Sequence, residues 1–162
     1  MRNIFFSICV TACIASSPCI ADDSPSVAFS AGAFNVFDSD KAMEMDVEYR
    51  FAPIAAIWHL RPTLGLAITS DGAYWGQAGI RYEFELNKDW ILSPSFAVAA
   101  YEQGGGLDLG YDLEFRTGLE LARQLDKQQR LGIGIYHFSN SDLGHRNPGA
   151  ESLLLTYSVS LN

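Results

Sequence analysis

The 162-residue chain is 48% hydrophobic and 19% charged, with a formal net charge of −8. That balance excludes a disordered polyelectrolyte, and its acidity excludes a protein held to nucleic acid or anionic surfaces by bulk charge. The length fits one compact domain.

The chain begins with a positive Met1-Arg2, runs through an apolar stretch from Ile4 to Ala15, and reaches small residues at Cys19-Ile20-Ala21 before Asp22. These are the features of a secretory signal peptide over residues 1–21. The segment is too short to span a bilayer, and Pro18 ahead of Cys19 argues against a lipid-anchored cysteine. Cys9, Cys13 and Cys19 all fall inside it, so residues 22–162 are expected to have no disulfide, zinc-thiolate site or cysteine nucleophile. Those 141 residues carry 10 basic and 19 acidic side chains, a net −9.

After the leader there is no apolar run of about 18 residues, so a membrane-spanning helix is not expected. Period-two alternation takes its place. A weak first strand lies near Val27 to Phe37. Met43, Met45, Val47, Tyr49 and Phe51 then oppose Glu44, Asp46, Glu48 and Arg50. Trp58, Leu60, Pro62, Leu64, Leu66 and Ile68 form the next apolar row, and Tyr74, Gly76, Ala78, Ile80, Tyr82, Phe84 and Leu86 the one after it. Trp90 to Tyr101 sets large apolar residues against mostly small ones. Leu113, Phe115, Thr117, Leu119 and Leu121 oppose Asp112, Glu114, Arg116, Gly118 and Glu120. Leu131, Ile133 and Ile135 alternate with Gly132, Gly134 and Tyr136, and Leu153, Leu155, Tyr157, Val159 and Leu161 close the series.

Eight strands with one apolar and one charged-to-small face fit a soluble barrel with an apolar interior or a transmembrane barrel with an apolar exterior. The charged row favours the second. Glu44, Asp46, Glu48, Arg50, Arg81, Glu83, Asp112, Glu114 and Arg116 suit a lumen in which they pair across strands. Short links near Ala52 to Ala55, Asn87 to Asp89 and Asp126 to Gln128 alternate with links near Asp38 to Lys41, Ser70 to Gly72, Glu102 to Gly110 and Asn140 to Gly149. Tyr49, Phe51, Trp58, Phe84 and Trp90 gather around the short set as an interfacial girdle would. The expectation is an all-β, eight-stranded antiparallel transmembrane barrel with short periplasmic turns and longer extracellular loops. Its last strand ends in Leu161-Asn162 instead of the aromatic residue usual for chains that the outer-membrane assembly machinery inserts.

Within this pattern His137, Ser139 and Glu151 occupy apolar-row positions at the extracellular ends of the last two strands. Polar groups in such positions are costly, so a function is the natural expectation. A serine hydroxyl needs a base to become nucleophilic, histidine supplies one near neutral pH, and a carboxylate fixes the imidazole tautomer. His137 and Ser139 project from the same side of a strand, about 7 Å apart at Cα. His59 and His145 read as interface or loop residues, and Gln103-Gly104-Gly105-Gly106 as a flexible loop tip without the helix a phosphate cradle needs.

The block His137-Phe138-Ser139-Asn140, followed by Asn147-Pro148-Gly149-Ala150-Glu151, resembles the catalytic block of the PagL-type lipid A 3-O-deacylases, eight-stranded outer-membrane barrels. Looser similarity runs through Trp58 to Thr69 and Gly76 to Glu83. The resemblance implies Ser139 as nucleophile, His137 as general base and then acid, and Glu151 as orienting carboxylate. It places Asn140 and Asn147 beside them as oxyanion or supporting groups. It also implies no metal or organic cofactor, release of a 3-hydroxy fatty acid, and lipid A of the outer leaflet as substrate. Lys41, His145 and Arg146 are expected to meet its phosphates. Other expected associations are the outer-membrane assembly machinery and a homodimer, with no nucleic acid. A phospholipase-type acyl hydrolase and a non-catalytic barrel for adhesion or envelope integrity stand as alternatives.

Overall fold

The computed structural model describes residues 24–161. The expected signal peptide and its three cysteines lie outside the described residues. Nine strand segments follow in order: β1 (Ser26–Phe34), β2 (Ala42–Arg50), β3 (Arg61–Thr69), β4 (Tyr74–Arg81), β5 (Phe84–Glu85), β6 (Trp90–Glu102), β7 (Leu113–Gln124), β8 (Gln129–Ser139) and β9 (Ala150–Ser160). All pairings are antiparallel, β1 pairs with β9, and β4 pairs directly with β6, which closes the sheet on itself.

β4 and β5 are two pieces of one barrel strand, since Arg81 opposite Ser95 and Phe84 opposite Leu92 keep one register against β6. Between them the Tyr82 amide donates to the Pro94 carbonyl at 3.1 Å, and Pro94 has no N–H to return the bond. The barrel therefore has eight strands, as expected.

Its phase is that of a membrane protein. Met43, Met45, Leu64, Leu66, Ile68, Ile133 and Leu155 are each more than half exposed, whereas Glu44, Asp46, Arg50, Arg81, Arg116 and Glu120 are buried. A soluble barrel would reverse both sets. Closure leaves no unpaired strand edge in hydrocarbon. Among the described residues no helix is long and apolar enough to cross a membrane.

The lumen is an ion-pair lattice through much of its height. Glu120 holds Arg50 at 2.8 Å and Arg81 at 3.0 Å, and Glu48 holds the same two arginines at 2.8 and 3.1 Å. Nearer the short-turn end Glu83 meets Arg130 at 2.9 Å and Arg61 at 3.5 Å. Toward the long loops Arg116 lies 3.7 Å from both Glu44 and Asp46, with its guanidinium 3.7 Å above the Tyr136 ring.

Three expectations change. Asp112 is exposed ahead of β7 and does not join the lumen, and Glu114 is fully buried but in no ion pair among the described residues. The outer part of the lumen is also not charged-to-small. Phe34, Trp75, Tyr101 and Phe138 fill it, with ring centroids 5.1–5.9 Å apart along the chain of contacts. A cylinder sealed by aromatic rings gains apolar burial where side chains of opposite charge run out. Third, the strand expected from Trp58 begins only at Arg61. Ala55–Ile57 forms a 3-10 turn, and Trp58 and His59 follow with φ of 56° and 58°. Trp58 is 82% exposed there, so it remains an interfacial side chain, carried by a turn.

Removing Glu120 would leave two buried guanidinium groups short of a partner. Glu120→Ala is expected to destabilise the refolded barrel by roughly 3 kcal/mol, the scale for breaking a buried charge pair. Thermal unfolding followed by the gel-mobility shift of folded barrels measures this, with Glu120→Gln intermediate.

Candidate active site

The last hairpin sets the site. Phe138 is fully buried in the aromatic cluster, so the residues on either side of it, His137 and Ser139, must face outward. β8 and β9 place His137 directly opposite Glu151, and β7 places Thr117 opposite His137 and Phe115 opposite Ser139. His137 Nδ1 lies 3.0 Å from Glu151 Oε1. Because the carboxylate only accepts, Nδ1 carries the hydrogen in this contact and the Nε2 lone pair is left free. The pair stands in the outward coat with side-chain exposures of 49% and 30%.

Ser139 bonds upward into the β8–β9 loop, not to His137. Asn147 Nδ2 donates to Ser139 Oγ at 3.2 Å, the hydroxyl also lies 3.4 Å from Asn147 Oδ1, and the Ser141 amide donates to Oγ at 3.2 Å. The Asn140 amide donates to Asn147 Oδ1 at 3.2 Å, which orients the Asn147 carboxamide with its NH2 toward the serine. Ser141 and Asp142, both with positive φ, fold the loop back over the strand end.

Of the two asparagines expected beside the serine, Asn147 reaches it and Asn140 turns inward. Asn140 is fully buried, and Nδ2 donates to the carbonyls of Leu109 at 2.9 Å and Arg146 at 2.8 Å. Both amide hydrogens are thus committed, so the side chain supports the loop and has none left for an oxyanion. Its two bonds tie the β6–β7 loop to the β8–β9 loop. Arg146 reinforces the tie by donating to the Asp108 carbonyl, with its Nε 3.5 Å from the Asp108 carboxylate. The backbones approach closely here: a Cβ on Gly110 would sit 2.2 Å from the Arg146 carbonyl.

Arg146 is thus engaged by the neighbouring loop while about half of its side chain stays exposed. His145 is exposed 3.9 Å from Asp108, and Lys41 is exposed on the β1–β2 link. Gly149 meets the site from the other side. It has a φ of 70°, and a Cβ there would lie 3.1 Å from His137 Cε1, so glycine admits both the turn and the imidazole. Sequence reasoning missed Asp108 and Leu109, whose contributions are made through backbone carbonyls that side-chain chemistry does not advertise.

Barrel and site together define a class: a small outer-membrane β-barrel with a histidine, a carboxylate and a serine set into its lipid-facing coat. A family profile described as lipid A 3-O-deacylase (PagL) matches residues 43–160. The chain belongs to that family and is an outer-membrane hydrolase of lipid A. In structure it is similar to the outer membrane enzyme PagL, with a TM-score of 0.68 at 20% identity over 84% of this chain and 99% of that one. It is also similar to a de novo designed transmembrane β-barrel (TM-score 0.63, 8% identity, 86% and 96% coverage). A third likeness is to Neisserial surface protein A (TM-score 0.59, 12% identity, 85% and 96% coverage). Comparison with curated protein sequences finds no significant match.

Asn140→Ala removes both interloop bonds and leaves two carbonyls short of a donor, a loss on the order of 2 kcal/mol. Hydrogen–deuterium exchange is expected to quicken in residues 107–111 and 140–147 while the barrel strands stay protected, with deacylase activity down at least tenfold.

Proposed function

We propose that this deacylase works as a serine esterase in which Ser139, His137 and Glu151 act together on the 3-position acyl ester of lipid A. The observation that carries the reading is the 3.0 Å contact between His137 Nδ1 and Glu151 on a lipid-facing surface. A hydrogen-bonded histidine–carboxylate pair in that position has no structural purpose that an apolar pair would not serve better.

In the reaction His137 Nε2 takes the Ser139 proton as Oγ attacks the ester carbonyl. Glu151 holds the tautomer and stabilises the imidazolium. The negative charge that develops on the carbonyl oxygen falls beside groups already aimed at Ser139, the Asn147 carboxamide NH2 and the Ser141 amide. Collapse expels the sugar alkoxide, which takes the proton from His137, and leaves an acyl-Ser139. Water, deprotonated by His137, then releases the 3-hydroxy fatty acid and restores the serine. Contact between Ser139 and His137 is completed by a rotamer change of the serine away from Asn147, a motion within reach of exposed side chains. Substrate need never leave the outer leaflet, since the site opens on lipid.

Mass spectrometry of lipid A from cells expressing each variant tests the roles. Wild-type chain is expected to remove one hydroxyacyl group. Ser139→Ala and His137→Ala are expected to lower the rate by about 10³-fold or more, and Glu151→Gln by on the order of 10²-fold or more, with the barrel still inserted. Undiminished deacylation in Ser139→Ala would overturn the nucleophile. Cleavage of offered phospholipid but not lipid A would instead favour the broader acyl-hydrolase reading.

A further inference from the structure

Resting on the reading above, we propose that Thr117 is a specificity residue whose hydroxyl binds the 3-hydroxyl of the acyl chain being released. Thr117 lies on the outward row of β7, between Phe115 and Leu119, and is exposed. Along the described outward rows, non-aromatic polar side chains otherwise cluster in the triad or sit at strand ends, as Glu102, Arg123 and Gln129 do, and the Tyr157 hydroxyl within β9 is bonded to Gln129. Thr117 is neither. It stands five residues into β7, directly across the ladder from His137.

Its hydroxyl has no hydrogen-bond partner among the described residues, and the backbone around it is committed to the ladders with β6 and β8. A hydroxyl facing hydrocarbon without a partner is unfavourable, and valine would fill the same β-branched shape on a strand without that cost. A partner that arrives with the substrate resolves the conflict.

The geometry selects which substrate group that is. β8 rises toward the extracellular loops, so a chain whose ester carbonyl meets Ser139 and whose tail runs into the membrane passes first the level of His137 and Thr117, then that of Ile135 and Leu119. Cβ atoms of directly opposed residues are about 5 Å apart, so Thr117 borders the path next to the imidazole. The 3-hydroxyl is two carbons from the carbonyl, the first polar group after it on that path. On the far side Phe96 opposes Thr117, and it stacks on Phe115 with centroids 6.0 Å apart and planes at 19°. Those rings give the methylene chain an apolar wall and leave the Thr117 hydroxyl as the wall's single hydrogen-bonding point.

The test uses the full chain in detergent–lipid micelles with two lipid A-type substrates that differ only in whether the ester-linked 3-position chain carries the 3-hydroxyl. Wild type is expected to prefer the hydroxylated substrate in kcat/KM. Thr117→Val should lower kcat/KM for that substrate about fivefold or more, the scale of one neutral hydrogen bond, and leave the plain acyl substrate unchanged. Thr117→Ser should retain the preference. Equal losses on both substrates, or an unchanged ratio in Thr117→Val, would overturn the assignment while leaving the Ser139 mechanism intact. A wild-type chain that cleaves neither substrate would overturn the esterase reading and this assignment together.

Discussion

Hydrocarbon offers backbone amides no hydrogen-bonding partner, and the rest of this structure follows from that constraint. The chain meets it by closing a sheet of eight strands through the β1–β9 and β4–β6 pairings, so that every strand has two neighbours. Closure fixes a two-sided alternation, in which each residue faces lipid or lumen with no intermediate choice. Apolar side chains outside and charges inside are then a single decision repeated along each strand. A polar residue in the outward phase stands against the whole design and is easy to see.

The lumen turns the same constraint into rigidity. Arg50 and Arg81 each contact both Glu48 and Glu120, so the charges are shared among strands β2, β4 and β7 and not paired one to one. Above them the rings of Phe34, Trp75 and Phe138 pack from β1, β4 and β8. Phe138 is the link between scaffold and chemistry. Burying its ring in the cluster decides that His137 and Ser139 point into the membrane boundary and sets the height at which they do so.

How much of this was legible depended on whether side-chain type carried the information. Strand phase did, because Met43, Met45 and Val47 against Glu44, Asp46 and Glu48 admit no helical reading. The hairpin register that joins His137 to Glu151 was legible for the same reason, from the apolar rows on either side of the loop. The turn at Ala55 to Leu60 was not. Trp58 and Leu60 keep the alternating phase of β3 while the backbone at Trp58 and His59 has left the extended region. Trp75 was hidden by assigning its row to charge and small residues, although an aromatic plug satisfies the same enclosed space. The tie between loops was hidden more deeply, since Asn140 meets carbonyls of Leu109 and Arg146 and any residue can supply a carbonyl. Thr117 was concealed by its own chemistry: threonine is a good strand former, so in an apolar row it passes for one more β-branched side chain.

A site on the flank of a barrel faces a problem that a buried cleft does not, because its acyl substrate arrives from lipid and its second substrate, water, arrives from outside. The arrangement of the hairpin separates the two. His137 and Glu151 stand in the coat, where an acyl chain can lie alongside Ile135 and Leu153, while Ser139 is held at the strand end by Asn147 and Ser141 of a loop that faces solvent. Ser139, the proposed nucleophile, therefore lies at the seam, with hydrocarbon on one side and the loop on the other. Fixing that seam requires the loop to be as firmly placed as the strand, and residue 140 is the first position beyond β8 where this can be done. A side chain there that pointed to solvent would leave the loop to its own entropy; one that turns inward to bind carbonyls of two loops anchors Asn147 over the serine. The inward turn of Asn140 and the outward turn of Ser139 are thus consecutive consequences of one strand alternation, which carries the barrel's rigidity one residue past its rim.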